Sequence, residues 1–247
     1  MSSFRTLLRQ TAQSSRGRQM GFAATAAPAA SPRLMVVAIA EDVSAVPALI
    51  EAGATAFVST SLDSLGALVE AAGDLPVGVR IDAATVADAD RVREAGADFI
   101  AFDDAITDAE ALLEPKPGRV LLLEAGIDED RLQALSGMRF DAIIIAPPAQ
   151  PLTVRDQLAL RRIAEATSAP LIAPTAEAPS TATLHAWRNA GTLAVLVPGD
   201  AALVSATVAA AAEVPAPQEP DEDERGIALV PSVSGDGDGD GDGDGDF

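Results

Sequence analysis

The chain has no cysteine and no tyrosine, and it has a single histidine, a single lysine and a single tryptophan among 247 residues. Those gaps exclude thiol chemistry, disulfides, Cys/His zinc sites and tyrosine acid catalysis. Any imidazole chemistry has to use His185, and any lysine Schiff base or proton relay has to use Lys116. Aromatic residues make up only 3% against 48% hydrophobic overall, so a core must be built from Ala, Val, Leu and Ile, as in parallel sheets wrapped by helices. No apolar run approaches the roughly 18 residues that would suggest a membrane span, and no signal-peptide apolar stretch precedes the first predicted strand. Together with the absence of cysteine, this points to a soluble protein of the cytoplasm.

What is abundant is acid. The formal net charge is −20 and it is unevenly spread. Residues 1–33 carry Arg5, Arg9, Arg16, Arg18 and Arg33 without a single acid, whereas the body and the C-terminal tail are both strongly negative. Nucleic acid is therefore not an expected partner of the body. Within the basic start, Phe4, Leu7, Leu8, Thr11 and Ala12 fall at helical spacing and predict one short amphipathic helix. Three readings of residues 1–33 stand side by side: a helix docked on the acidic body, a disordered arm, or an Arg- and Ser-rich targeting segment.

From Leu34 onward, apolar runs of about five residues alternate with helix-compatible stretches at a spacing of roughly 20 residues, the period expected of stacked βα units. Eight strands are predicted: Leu34 to Ala40, Ala56 to Thr60, Val77 to Ile81, Phe99 to Asp103, Val120 to Glu124, Ala142 to Ala146, Pro170 to Ala173 and Leu193 to Val197. Between them, stretches such as TVADADRVREAG place Val86, Ala89 and Val92 on one helical face, and Gly96 ends the helix. Gly53, Gly73 and Gly191 hold similar helix-end positions. EAGATAF at 51–57 and EAGADFI at 94–100 are near copies two units apart, the weak internal repeat expected of such an architecture. Eight even units without a Gly-rich nucleotide loop favour a (β/α)8 TIM barrel over residues 34–213 rather than an open doubly wound sheet. Residues 214–247 change to acid-rich sequence, a short apolar patch at Ile227 to Val230, and alternating Gly and Asp. Such a repeat repels itself and cannot build a core, which predicts a disordered acidic tail.

In a barrel, chemistry sits at the C-terminal ends of the strands. Asp82, Asp103 and Glu124 follow strands 3, 4 and 5 at intervals of 21 residues, one βα unit each. Three carboxylates at comparable heights could hold Mg²⁺ with water completing the shell, or raise one another's pKa and create a general acid. Barrels of the enolase superfamily carry metal-binding acids at the ends of consecutive strands, and this spacing is similar, although the lysine or histidine base of those enzymes has no counterpart at the strand ends here. The competing reading is structural. Asp is a favoured helix N-cap, and Asp82 before AATVADADRV and Asp103-Asp104 before AITDAEALL both look like helix starts. Arg80 shares a strand face with Gly78 and Asp82, which would turn its guanidinium into the barrel mouth to pair with Asp82 or Asp103 or to bind an anionic ligand.

REAGADFIAFD and NAGTLAVLVPGD resemble segments of the ribulose-phosphate-binding barrels and of the flavin-dependent barrel families, over about residues 34–213. That resemblance implies a phosphate held after strands 7 and 8 on glycine amides and a short helix N-terminus. Gly199 in VPGDAAL matches the strand 8 part, and would be the cofactor-binding residue. The Gly-Gly pair after strand 7 is replaced by PTAEAPS, and Glu177 and Asp200 put negative charge where phosphate would lie. The strand lysines of those families are missing. Two readings follow: a divergent, non-catalytic barrel that acts as a scaffold through residues 1–33 and 214–247, by self-association or with a protein partner, or a metal-assisted lyase or isomerase acting on an anionic metabolite through Arg80, Asp82, Asp103 and Glu124.

Overall fold

A computed structural model of the chain describes residues 2–15, 34–124 and 126–215. Residues 16–33 and the predicted tail from residue 216 onward therefore lie outside the described residues. Eight parallel strands close into a barrel in sequence order: β1 (Met35–Ile39), β2 (Ala56–Ser59), β3 (Val77–Arg80), β4 (Phe99–Phe102), β5 (Gly118–Leu123), β6 (Ala142–Ile145), β7 (Leu171–Pro174) and β8 (Thr192–Pro198). The seam is complete, with Met35 to Ile39 opposite Ala194 to Pro198. The chain folds as a (β/α)8 TIM barrel, and every predicted strand is present within two residues of its expected bounds.

Side-chain alternation along each strand builds two cores. Met35, Val37, Phe99, Ala101, Val120 and Ile144 fill the barrel interior. Val36, Val77, Val79, Ile100, Leu121 and Val197 face outward and meet the helices. Those helices are α2 (Val46–Glu51), α3 (Leu65–Ala72), α4 (Val86–Glu94), α5 (Glu129–Ser136), α6 (Val154–Thr167), α7 (Thr181–Asn189) and α8 (Ala201–Ala212). Leu49, Leu65, Leu68, Leu184, Trp187 and Val204 are among their fully buried contributions. Gly53, Gly73, Gly96 and Gly191 all follow helices with positive φ, as their positions in the sequence predict.

One outer helix is replaced. The segment AITDAEALL after β4 forms only a 3₁₀ turn, Ala109–Leu112, instead of the predicted α-helix. Its Thr107 hydroxyl donates to the Asp82 carbonyl at 3.1 Å, and the Asp108 amide donates to the Ala84 carbonyl at 2.9 Å. These bonds tie the segment to the loop between β3 and α4, in place of the i to i−4 ladder of a helix.

The amphipathic start forms α1 (Ser3–Ser15). Phe4 and Leu8 are buried in the barrel's interior core, and the Phe4 ring stacks on Phe99. The Ser3 amide and hydroxyl both donate to Asp98, at 3.0 and 2.7 Å, and Arg5 pairs with Asp141 at 3.4 Å. Asp98 and Asp141 immediately precede β4 and β6, so α1 lies across the N-terminal mouth and forms the barrel's floor. Of the three readings of the basic start, this is the docked helix for residues 3–15.

Candidate functional site

The strand phases carry the predicted site residues toward the C-terminal mouth. Gly78 faces inward, where a Cβ would overlap the Phe99 ring. Arg80, two residues on, therefore shares the inward phase, as the sequence predicts. Its Nε donates to Asp82 at 2.9 Å, with both side chains about half exposed at 52% and 56%. Arg80 thus forms a solvated ion pair with Asp82 at the rim of the mouth, one of the pairings that the sequence offers.

The acids are not gathered. Among the described residues no group of three or more His, Asp or Glu side chains comes together in a geometry that could hold a metal ion. Asp82 turns to Arg80, Asp103 accepts from the Ala105 amide at 2.8 Å, and Glu124 is exposed. In this arrangement Asp82, Asp103 and Glu124 do not converge: equal spacing sets comparable heights, but local donors fix the side-chain directions of Asp82 and Asp103. The helix-cap part of the structural reading is what the structure corrects. The N-cap of α4 is Thr85, whose hydroxyl accepts from the Asp88 amide while the Asp88 carboxylate accepts from the Thr85 amide, a capping box. Asp82 lies outside it, and Asp103 caps no α-helix.

The same pattern of local use runs around the mouth. Asp42 after β1 accepts from the Ser44 hydroxyl at 2.7 Å and amide at 2.8 Å, which hold its carboxyl below the ordinary aspartate value. Asp104 pairs with Arg131 at 2.6 Å. Asp128 caps α5 through the Arg131 amide at 2.8 Å. After β7, the Thr175 hydroxyl donates to the Glu177 carbonyl at 2.8 Å and accepts from the Glu177 amide at 3.3 Å.

The turn after β8 is where the resemblance places a phosphate. There Gly199 lies so close to β1 that a Cβ would overlap the Ile39 carbonyl oxygen, and Asp200 caps α8 by accepting from the Leu203 amide at 2.8 Å. A carboxylate already occupies the helix N-terminus that an anion would approach. Beside this turn a cleft of about 430 Å³ is lined by Ile39, Ala40, Glu41, Asp42, Pro198 and Gly199 among others. Its walls are apolar with acids at the edge, a lining that suits no phosphate. His185 is half-buried on α7 in the outer layer, and Lys116 is exposed in the segment leading into β5, at the opposite end from the mouth.

The residues that sequence reasoning missed lie mostly at the other end. Asp98 and Asp141 act on α1, and nothing in EAGADFI or RFDAIII distinguishes an aspartate that will receive an N-terminal helix from one that caps a turn.

The sequence matches no protein-family profile and no curated protein. In three dimensions the chain is similar to tryptophan synthase from M. tuberculosis, with a TM-score of 0.62 and 14% identity over 86% of this chain and 99% of that one. It is also similar to thiamine phosphate pyrophosphorylase from Pyrococcus furiosus, with a TM-score of 0.57 and 15% identity over 74% of this chain and 98% of that one. At such identities the likeness establishes the barrel fold alone.

Proposed function

We propose that the protein is a non-catalytic barrel that serves as a scaffold, with its charged ends as interaction elements. The observation that carries this reading is the local use of polar groups around the C-terminal mouth. Asp42, Asp82, Asp103, Asp104, Asp128 and Asp200 each accept from a neighbouring amide, hydroxyl or guanidinium. A catalytic acid or base instead keeps a free lone pair or proton aimed at the reacting atoms and a pKa tuned toward the working pH. The shifted carboxylates, Asp42, Asp88 and Asp156, all move down, away from that range.

The alternative is a barrel enzyme of the lyase or isomerase class acting on an anionic metabolite with Mg²⁺. Arg80 favours it, because its guanidinium stands at the mouth in the inward phase with one of its nitrogens on Asp82. Metal would have to draw Asp82, Asp103 and Glu124 away from their present directions.

Thermal melting of the full chain with EDTA, Mg²⁺ or Mn²⁺, alone and with phosphorylated and carboxylated metabolites, separates the readings. Only a ligand that prefers the native state raises its stability. The scaffold reading expects no saturable shift; a saturable metal shift that Asp103→Asn abolishes would replace it with the enzyme reading. The interaction role is tested by removing residues 216–247 or substituting Arg16 and Arg18, since residues 3–15 belong to the barrel floor and their loss would confound the result. Self-association or partner capture should weaken with salt and fall in those variants. Unchanged sedimentation and pull-down profiles at low and high ionic strength would refute it.

A further inference from the structure

Among the described residues, two side-chain polar atoms are fully buried with no bonding partner in the protein: the indole Nε1 of Trp187 and the hydroxyl of Thr192. Both residues are 0% exposed. Trp187 lies in the last turn of α7 and Thr192 opens β8, so only the short turn between those elements separates them, and α7 packs against β8. Trp187 belongs to the layer between barrel and helices. Thr192 stands opposite Leu171, a member of that same layer. The indole N–H can only donate, and a hydroxyl both donates and accepts. Buried polar groups in folded proteins are nearly always bonded, and the usual partner, where the protein supplies none, is an internal water.

We propose that Trp187 and Thr192 hold one internal water molecule between α7 and β8. The water accepts from the indole Nε1 and bonds the Thr192 hydroxyl, so a helix and a strand share a polar link. This site is independent of the mouth and of either functional reading.

The chain's single tryptophan and lack of tyrosine make its intrinsic fluorescence a report on this indole alone. In the full chain, Thr192→Val should release the water, shift the emission to shorter wavelength and lower the Tm, whereas Thr192→Ser should keep the native spectrum. In a Trp187→Phe background, Thr192→Val should cost less Tm than in the wild type, because the water has already lost one partner. Equal Tm changes in both backgrounds, with an unshifted emission, would mean a dry layer and overturn the proposal. Should Thr192→Val fail to fold, the native chain decides by NMR: a cross-peak between the indole Nε1–H and a long-lived water supports the site, and its absence refutes it.

Discussion

The ring of Phe4 stacks on the ring of Phe99 with centroids 4.2 Å apart and planes inclined by 26°. Phe99 in turn covers Gly78, whose missing side chain leaves the space that the ring fills. A residue of α1, one of β3 and one of β4 thus form a single contact at the barrel's floor. The helix that carries Phe4 is held besides by Ser3 on Asp98 and Arg5 on Asp141, both at strand starts. Burial of Phe4 and Leu8 is the larger contribution, since full burial of such side chains stabilises by about 1.5–3 kcal/mol each, whereas the Arg5–Asp141 pair is long at 3.4 Å and leaves its guanidinium partly in solvent, where ion pairs contribute about 0–1 kcal/mol.

Phe4→Ala should therefore destabilise the barrel by about 3–5 kcal/mol, the usual cost of an aromatic deletion from a core. Urea denaturation would show it as a lowered midpoint. Arg5→Ala should move the midpoint far less, and equal effects of the two would mean that charge, not packing, seats the helix.

Gly78→Ala tests the same contact from the other side. A Cβ at residue 78 would push the Phe99 ring off its place and with it the stack on Phe4. Overpacking of a filled core costs about 1–3 kcal/mol, so the Tm should fall. In a Phe4→Ala background the ring has room to move, and the penalty should shrink, which a double-mutant cycle measures directly.

Acid should weaken the fold through three identified carboxylates. Asp42, Asp88 and Asp156 are held below 3.8, first by the hydroxyls of Ser44, Thr85 and Thr153 and then by the amides of the same residues. A lowered folded pKa means that the unfolded chain binds the proton more readily, so this stability is present above the unfolded value and lost as pH falls through the lowered folded values. All three groups face solvent, so each contribution is small. Thr85→Ala removes the first cause for Asp88 and one N-cap, which costs about 1 kcal/mol at neutral pH. Its melting curve should also decline less steeply below pH 4 than that of the wild type; a parallel decline would place the acid sensitivity elsewhere.

Much of this architecture was legible in the sequence because it rests on local pattern. Val77, Gly78, Val79 and Arg80 alternate in a way that a strand must preserve, and the glycines at 53, 73, 96 and 191 sit where a helix has to reverse. The directions of polar side chains were not legible, because they depend on which donor happens to be nearest in space. Asp82, Asp103 and Glu124 have the period of a shared site, yet Asp82 finds Arg80 and Asp103 finds the Ala105 amide before either meets the other. The helix expected at AITDAEALL failed for a related reason. Its Thr107 and Asp108 bond to the main chain of residues 82 and 84, contacts that no helical propensity encodes.

Gly199 separates the two meanings of a glycine at the end of β8. If its amide served a phosphate or another anion, Gly199→Ala would weaken ligand binding while leaving the apo protein as stable as before. The geometry gives a different expectation. The residue passes against the Ile39 carbonyl oxygen at the seam between β8 and β1, where an added methyl has backbone in its way and no flexible side chain to displace. The strand ends must part, and the loss should be at least the 1–3 kcal/mol typical of overpacking. Asp200→Asn provides the contrast, since an asparagine oxygen still caps α8 by accepting from the Leu203 amide. Chemical denaturation of the two variants without any ligand is then decisive: a large drop for Gly199→Ala beside a small one for Asp200→Asn supports closure of the barrel as the role of this turn. A fully stable Gly199→Ala protein would return the turn to the list of ligand-binding candidates.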